Sequence, residues 1–292
     1  MNHRAGFVNI IGNPNVGKST LMNALIGEKL SIITSKAQTT RHRILGIVNG
    51  DDYQIVYSDL PGLVTPSYKL QEKMMGFIDI ALKDADVFLY MVEAGETKYN
   101  EKIVHDILKS KIPVIVVINK IDLSQQEAVM EQLKYWYEVF PGSEVVPVSA
   151  LKNFNTQRVL DLILERLPES PPYYPKGELT DKTVRFFISE IIREKILLNF
   201  KQEIPYSVEI VVEAYKELEE IIHIAANIFV MRESQKMIIL GKGGQAIRRL
   251  GTDARKDIEA FVGKQVFLDL TVKVNKDWRD DDRQLKRFGY EV

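Results

Sequence analysis

Residues 12–19 read GNPNVGKS, the most informative stretch in the first half of the chain. It follows an apolar strand pattern, Phe7 to Ile11, and leads into a helix pattern, Ser19 to Leu25. The two glycines let backbone N–H groups point inward at a phosphate, and the positive end of the helix dipole favours the same anion. Lys18 supplies charge for the β- and γ-phosphates, and the Ser19 hydroxyl is a ligand for Mg²⁺. The stretch therefore predicts a nucleoside triphosphate site.

A second motif, Asp59-Leu60-Pro61-Gly62, closes the later strand pattern Gln54 to Ser58. At the end of a strand, the Asp59 carboxylate would project at the mouth of the sheet and hold Mg²⁺ through water. Gly62 can offer its N–H to the γ-phosphate because no side chain blocks the approach. Alone this motif is a common turn, and its order after the phosphate loop gives it weight.

Two further motifs predict that the base is guanine. Asn119-Lys120-Ile121-Asp122 follows the most apolar strand pattern, and Ser149-Ala150-Leu151 follows the next one. The Asp122 carboxylate can accept hydrogen bonds from N1–H and N2–H₂ of guanine, an arrangement that adenine does not offer. Lys120 can lie along the ring, Asn119 can tie this loop to the phosphate loop, and the Ala150 N–H can reach guanine O6.

The 35–43 segment, SKAQTTRHR, is polar and has no periodicity. It is typical of a mobile segment that closes over Mg²⁺ and the γ-phosphate. We expect Thr40 to be the second Mg²⁺ ligand, with Thr39 as the alternative.

Hydrolysis should be slow, because Leu63 stands where Ras-like GTPases have the glutamine that orients the attacking water. Asn15 could help to hold a K⁺ ion against the phosphates, or could merely shape the loop.

These motifs predict three overlapping sets of residues. The residues expected to act in hydrolysis are Lys18, Thr40 and Asn15. Those expected to bind Mg²⁺ are Ser19, Thr40 and Asp59. Those expected to bind GTP or GDP are Gly12, Asn13, Pro14, Asn15, Val16, Gly17, Lys18, Ser19, Thr20, Asp59, Leu60, Pro61, Gly62, Leu63, Asn119, Lys120, Ile121, Asp122, Ser149, Ala150 and Leu151.

The order of elements predicts two domains. Residues 1–167 alternate apolar strands with helix patterns, which indicates an α/β fold with a mostly parallel sheet, and Asn49-Gly50 predicts an antiparallel hairpin at its edge. Residues 168–179, PESPPYYPKGEL, contain four prolines and predict a semi-rigid linker. Residues 180–292 show an α+β order and form a smaller second domain that ends in a mixed tail.

The second domain carries Gly241-Lys242-Gly243-Gly244, which we expect to join a strand, Lys236 to Leu240, to a helix from Gln245 to Val262. A G-x-x-G loop is what the KH domain uses to clamp single-stranded nucleotides. From Val230 to Lys276 there are 10 Lys and Arg against 5 Asp and Glu. We therefore predict RNA binding by Lys236, Gly241, Lys242, Gly243, Gly244, Arg248 and Arg249.

Composition narrows the possibilities further. The chain has 292 residues and no cysteine, which excludes disulfides, thiolate zinc sites and thiol catalysis and fits a reducing cytoplasm. Its four histidines are scattered, which argues against a histidine metal site. No apolar run approaches the ~20 residues of a membrane span, and the polar start, Met1 to Arg4, suggests no signal peptide. The aromatic residues of the tail, Asp277 to Val292, could contact RNA or ribosomal protein, but we expect the tail to fold back onto its domain.

A GTPase pattern with a QTTR segment, joined by a proline-rich linker to a KH pattern, resembles the bacterial Era family over essentially the whole chain. The stretch Phe229 to Gly244, FVMRESQKMIILGKGG, is similar to the entry into the KH domain of that family. The resemblance implies a monomeric GTPase that binds the 3′ end of small-subunit ribosomal RNA and assists maturation of that subunit. It also implies loose association with the inner membrane. Leu60 departs from the threonine that is usual in the family.

Two other functions fit the residues. The chain could be an RNA-binding scaffold whose GTP site is a slow timer or nearly inert. It could also be an ATPase or small-molecule kinase, although Asp122 argues against that.

Overall fold

The computed structural model describes residues 3–291 of the chain. Two compact units are present, one comprising the chain up to Pro66 together with Gln71–Asp181, the other Ser67–Leu70 together with Lys182–Glu291. The predicted domain limits also include Met1, Asn2 and Val292, which lie outside the described residues.

The first unit is a sheet flanked by helices. Its sheet has the strand order β2-β3-β1-β4-β5-β6, parallel except for the β2–β3 pair. The strands are β1 (Arg4–Gly12), β2 (Ile44–Asn49), β3 (Tyr53–Asp59), β4 (Val87–Glu93), β5 (Val114–Asn119) and β6 (Glu144–Pro147). The helices are α1 (Lys18–Ile26), α2 (Lys69–Asp84), α3 (Glu101–Ser110), α4 (Gln126–Val139) and α5 (Thr156–Arg166).

Burial explains why these strands are continuously apolar. Every residue of β5 is buried, and β4 is buried except for Glu93, because parallel strands are covered on both faces. The carboxyl ends of β1, β3, β5 and β6 meet at one edge of the sheet, where the loops that follow them can converge. The predicted α/β class with an antiparallel edge hairpin is confirmed.

The predicted linker packs on the first unit. The buried Gln54 side chain accepts from the backbone N–H groups of Tyr173 and Tyr174 at 2.7 and 3.0 Å, and donates to the carbonyl of Tyr174 at 2.8 Å. Farther along, the N–H of Ile47 donates to the carbonyl of Leu179 at 2.8 Å. The proline-rich stretch is therefore docked along the hairpin edge of the sheet.

The second unit is an α+β domain. A sheet in the order β7-β8-β9 has one antiparallel and one parallel pair and carries an apolar core on one face. The strands are β7 (Glu209–Glu217), β8 (Ile221–Val230) and β9 (Gln265–Val274). The helices are α6 (Val184–Asn199), α7 (Glu233–Leu240), α8 (Gln245–Val262) and α9 (Asp282–Arg287).

One predicted element is wrong. Lys236 to Leu240 belongs to helix α7 and is not a strand, so the glycine loop joins two helices. A short apolar run such as MIIL has no clear period, and a buried helix turn cannot be told from a strand by such a run. The helix start is fixed by Gln235, whose side-chain oxygen accepts from the N–H groups of Met231 and Arg232 at 2.9 and 3.1 Å.

The tail folds back on the second unit, as predicted. Trp278 is fully buried and donates its indole N–H to the carbonyl of Ser207 at 3.2 Å. Tyr290 is buried and donates its hydroxyl to Glu209 at 2.8 Å, while Phe288 packs on Phe229. Within residues 3–291, none of the helices combines the length and the apolar character needed to span a bilayer.

Candidate functional site

The phosphate loop is closed around its glycines. Gly17 has φ of 102°, and a Cβ there would lie 2.2 Å from the amide nitrogen of Asn119. A Cβ on Gly12 would lie 2.2 Å from the carbonyl oxygen of Met91. Both positions therefore exclude any other residue, and the loop can bring its backbone N–H groups close to an anion.

Lys18 is buried at the centre of this loop. Its ammonium donates to the carbonyls of Gly12 and Asn13 at 3.0 and 2.9 Å. Burial lowers the pKa of Lys18 to about 8, and the nearby carboxylates of Asp59 and Glu96 partly offset that effect. A bound phosphate would supply the negative charge that this buried cation lacks.

Three oxygen-bearing side chains from three different segments meet beside Lys18. Ser19 donates to Asp59 at 2.6 Å, Thr40 donates to the same oxygen at 3.2 Å, and the two hydroxyls lie 3.0 Å apart. The other carboxylate oxygen of Asp59 is buried and has no hydrogen-bond partner among the described residues. Burial raises the pKa of Asp59, while the Ser19 hydroxyl, the Lys18 charge and the Ser31 and Thr40 hydroxyls act in the opposite direction. Hard oxygen ligands around an unpartnered buried carboxylate oxygen fit Mg²⁺.

The two threonines considered as metal ligands are in different places. Thr40 joins the cluster with Ser19 and Asp59. The Thr39 hydroxyl instead donates to the carbonyl of Lys36 at 2.6 Å and lies 2.7 Å from the hydroxyl of Thr34. Geometry therefore favours Thr40 of the two.

At the opposite end of the site, the motif after β5 is tied to its neighbours. Asn119 donates to the carbonyl of Val16 at 2.8 Å and accepts from the Ala150 N–H at 2.9 Å, so it links the phosphate loop to the loop after β6. Ser149 donates to one carboxylate oxygen of Asp122 at 2.6 Å. This bond restrains the carboxylate and leaves its second oxygen available as an acceptor.

One cleft of about 530 Å³ runs between these two ends. Its lining is Pro14, Asn15, Gly17, Lys18, Ser19, Thr20, Ile32, Ile33, Thr34, Ser35, Gln38, Thr39, Thr40, Leu60, Gly62, Asn119, Lys120, Asp122, Leu123 and Leu151. Residues of all four motifs and of the 35–43 segment are thus brought together. The lining does not include the predicted residues Gly12, Asn13, Val16, Asp59, Pro61, Leu63, Ile121, Ser149 and Ala150.

Sequence reasoning missed three apolar residues of this lining, although it had included Pro14, Leu60 and Leu151. Ile32 and Ile33 precede the polar 35–43 segment, and Leu123 directly follows the motif after β5. Leu123 is 76% exposed, which is unusual for leucine beside a ligand cleft. An apolar residue at the end of a polar motif is the signal that could have found it.

Two features bear on hydrolysis. A Cβ on Gly62 would lie 2.7 Å from Cα of Pro14, so this turn closes directly on the phosphate loop. Leu63 is buried and its N–H donates to the carbonyl of Gly12 at 3.2 Å. Asn15 has φ of 65° and donates its amide to the carbonyl of Ser35 at 3.1 Å, which joins the phosphate loop to the 35–43 segment.

The glycine loop of the second unit lies between α7 and α8. Gly243 and Gly244 have φ of 59° and 77°, and a Cβ at either would meet no atom within 4 Å. Lys242, Arg248 and Arg249 are exposed, and Lys236 is half-buried. Open space above glycines with positive φ, next to exposed cations, suits the approach of a phosphate backbone.

A groove of about 470 Å³ lies between α8 and β9. Its lining is Ile247, Arg248, Gly251, Thr252, Arg255, Phe267, Leu268 and Leu270. Of these, sequence reasoning singled out only Arg248. The missed signal is Phe267, an aromatic side chain that is 56% exposed on β9. Val266 and Leu268, the residues on either side of it in the strand, are apolar and more buried.

Comparison with known families and relatives bears on both units. Residues 7–120 match the family described as 50S ribosome-binding GTPase, and residues 203–279 match the KH domain family. GTPase Era of Clostridium kluyveri is 42% identical over 292 residues, which covers 98% of this chain and 99% of the relative. GTPase Era of Geotalea uraniireducens is 44% identical over 291 residues, which covers 99% of this chain and 98% of the relative.

Solved structures show the same likeness. A crystal structure of Era in complex with MgGDPNP and nucleotides 1506–1542 of 16S ribosomal RNA matches with a TM-score of 0.95 at 38% identity, over 99% of this chain and 100% of that one. A variant of Aquifex aeolicus Era bound to GDP and AlF4⁻ matches with a TM-score of 0.93 at 38% identity, over the same shares of the two chains.

Proposed function

Because this chain belongs to the Era family of GTPases, we propose that it is a GTP-hydrolysing switch that binds single-stranded small-subunit ribosomal RNA near its 3′ end and assists maturation of that subunit. One observation carries the proposal. At one end of the cleft, the hydroxyls of Ser19 and Thr40 donate hydrogen bonds to Asp59. At the other end, Ser149 donates to the carboxylate of Asp122. This arrangement suits a nucleotide with a metal-bound triphosphate and a guanine base.

At the phosphate end, we assign the metal to Ser19, Thr40 and Asp59, with Asp59 acting through water. Bound Mg²⁺ would neutralise charge on the β- and γ-phosphates. The Lys18 ammonium would turn toward the same phosphates, and the N–H groups of the loop would fix their position. Thr40 belongs to the 35–43 segment, so a γ-phosphate and its metal would hold that segment in place.

At the base end, specificity rests on Asp122. Ser149 occupies one carboxylate oxygen at 2.6 Å, and the remaining lone pairs can accept from N1–H and N2–H₂ of guanine. Adenine would leave this carboxylate without its donors, and an unsatisfied charged group is costly. The exposed Leu123 and Leu151 line this end of the cleft and can cover the faces of the base.

For hydrolysis, we propose slow intrinsic turnover. Leu63 is apolar and buried, so it offers no group to orient the attacking water. Asn15 is placed between the phosphate loop and the 35–43 segment, where a K⁺ ion could add positive charge beside the phosphates. The missing glutamine is also the observation that favours the second candidate, an RNA-binding scaffold whose GTP site works as a slow timer.

For RNA, we propose that the strand lies over the glycine loop and enters the groove between α8 and β9. The relative whose crystal structure contains 16S ribosomal RNA supports this class of partner. Lys242, Arg248 and Arg249 would meet phosphates, and the open space at Gly243 and Gly244 would allow the backbone to pass close. Phe267 is placed to contact a base in the groove.

The deciding experiment is filter binding of the full chain to a fragment from the 3′ end of small-subunit ribosomal RNA, run with a GTP analogue, with GDP and with an ATP analogue. We expect tighter RNA binding with the GTP analogue than with GDP and no effect of the ATP analogue. RNA binding that ignores the nucleotide, together with no RNA-stimulated hydrolysis, would favour the scaffold. A response to ATP would contradict guanine selectivity.

We also propose a cytoplasmic monomer that associates loosely with the inner membrane, as the resemblance implies. Fractionation of cells tests this, since a peripheral protein is released from membranes by a high-salt wash.

A further inference from the structure

The turn that follows β4, residues 93–98, touches two separate nucleotide motifs, although none of its residues belongs to either. The N–H of Glu96 donates a hydrogen bond to the carbonyl of Glu93 at 2.9 Å, and this bond closes the turn. The Glu93 N–H donates back to the Glu96 carboxylate at 3.2 Å. Glu96 is therefore fixed within the turn by its main chain and its side chain.

Toward the phosphate loop, the contact runs through Asn13. The Asn13 amide donates to the Glu96 carboxylate at 2.6 Å and to the carbonyl of Lys98 at 3.2 Å. The carbonyl of Asn13 in turn accepts from the ammonium of Lys18 at 2.9 Å. Glu96 thus holds Asn13, whose carbonyl helps to orient the Lys18 ammonium. The charge of the Glu96 carboxylate also lies near Lys18.

Toward the base, the contact runs through Glu93 and Ala94. Lys120 pairs with the Glu93 carboxylate at 2.6 Å. The N–H of Ala94 donates to the carbonyl of Asn119 at 2.8 Å. The same short turn therefore braces the guanine motif and the phosphate loop.

Helix α4 supports the turn from behind. Gln132 is buried, its side-chain oxygen accepts from the Gly95 N–H at 2.8 Å, and its amide donates to the carbonyl of Glu96 at 2.8 Å. The Tyr135 hydroxyl donates to the carbonyl of Thr97 at 2.9 Å. A turn that is anchored on a helix can hold other loops in one geometry.

We propose that Glu96 is a positioning residue for nucleotide binding, which presets the phosphate loop through Asn13 and joins it to the guanine motif through the turn. This inference rests on the proposed GTP site. A loop that is held in its binding geometry before the nucleotide arrives loses less conformational entropy on binding. The contact is made in the protein itself, so its benefit is the same for GTP and GDP.

The test measures GTP and GDP affinity, KM and kcat for the full chain with Glu96→Ala, Asn13→Ala and the double substitution. We expect each single change to weaken both nucleotides about fivefold, the worth of one hydrogen bond. KM should rise with kcat nearly unchanged, because ground-state and transition-state binding suffer alike. The double variant should be weaker by well under the product of the two single losses, since both changes break the shared Asn13–Glu96 hydrogen bond and only the weaker bonds to Lys98 and from Glu93 are lost separately.

Glu101→Ala is the matched control. It removes an exposed acid at the start of α3, close in sequence to Glu96, and should leave both affinities at the wild-type value. Unfolding curves of the nucleotide-free variants show whether each is folded. Glu96→Gln supplies a second variant, because it keeps an acceptor for Asn13 but turns a donor toward the Glu93 N–H, so an intermediate loss of affinity is expected.

Two outcomes would contradict the role of Glu96 without contradicting the proposed GTP site. One is wild-type affinity in Glu96→Ala, and the other is an affinity about 25-fold weaker in the double variant, the product expected for independent sites. A wild-type chain that binds no GTP would overturn the proposed function, and this inference with it.

Discussion

At the scale of single residues, the site depends on side chains that are held by other side chains. Asp122 is fixed by Ser149, Asn119 links two loops, and the cluster that we propose for Mg²⁺ forms where Ser19 and Thr40 both donate to Asp59. Asn119, Thr40 and Asp59 are buried, so an incorrect orientation would leave a buried polar group unsatisfied. Base choice and salt dependence of hydrolysis can therefore be tested by single substitutions.

Asp122→Asn should shift the base preference from guanine toward xanthine. Xanthine presents a carbonyl where guanine has its N2 amine, and the new amide can donate to that carbonyl. GTP affinity should fall by about one order of magnitude or more, as expected when a bidentate pair of hydrogen bonds is removed. Competition between GTP and XTP for a fluorescent nucleotide measures the change. Full GTP affinity in the variant would show that Asp122 does not read the base.

If a monovalent ion replaces the missing glutamine, hydrolysis should be faster in K⁺ than in Na⁺ at equal ionic strength. Asn15→Ala should remove the difference while RNA binding remains unchanged. Phosphate release under single-turnover conditions is the measurement. Equal rates in the two salts for the wild-type chain would contradict a role for K⁺.

At the scale of elements, helices α7 and α8 determine the conformation of the glycine loop between them in the second unit. The glycine loop lies between two helices, where Gly241 is crowded by Ala246, while Gly243 and Gly244 are open to solvent. The crowded glycine shapes the helix–helix junction, and the open ones leave room for a ligand. The tail supports the sheet of the same unit through Trp278 and Tyr290.

Gly244→Asp should reduce RNA affinity steeply and leave GTP binding untouched. The substitution adds a side chain and a negative charge where the RNA backbone must pass. The salt dependence of binding should also become shallower, by a slope of about one unit for each phosphate that the variant no longer binds. Filter binding over a range of salt concentrations measures both effects.

Gly263→Asp is the control for that experiment. Gly263 ends α8 with φ of 68° and open space around it, so the variant carries the same charge and similar backbone strain away from the loop. It should bind RNA as the wild type does. If Gly244→Asp also binds as well as wild type, the assignment of the loop to RNA is wrong.

At the scale of the whole molecule, the chain forms two compact units, and we propose a separate ligand for each. The core of the second unit is formed by residues between Ile188 and Val272. The linker residues up to Leu179 bond to the hairpin edge of the first unit. A cut just after the linker keeps the residues of this core together but removes Ser67–Leu70, which belong to the same compact unit.

A fragment of residues 180–292 should fold and bind single-stranded RNA without binding GTP. Circular dichroism and thermal unfolding test the fold, and filter binding tests the affinity. A folded fragment that fails to bind RNA would contradict the placement of RNA binding in this unit. The full chain with GDP provides the reference affinity.

The sequence alone identified the α/β class, the KH domain and the order of the four nucleotide motifs, while the linker limits remain a prediction. These follow from local signals, namely glycines that the backbone geometry requires, apolar strands covered on both faces and prolines that end regular structure. Family membership confirms the predicted GTPase and its RNA-binding domain. The individual site residues remain predictions, although the structure gathers most of them around one cleft.

Tertiary structure alone decided several other points. Lys236 to Leu240 form part of helix α7. Their apolar residues follow neither a helical nor a strand repeat, so the surrounding structure determines their conformation. Tertiary structure favoured Thr40 over Thr39 and brought Ile32, Leu123 and Phe267 to the two clefts. It also placed Glu96 beside Asn13, which lies 83 residues earlier in the chain. Contacts between residues far apart in sequence depend on how elements pack, and local patterns carry no record of that packing.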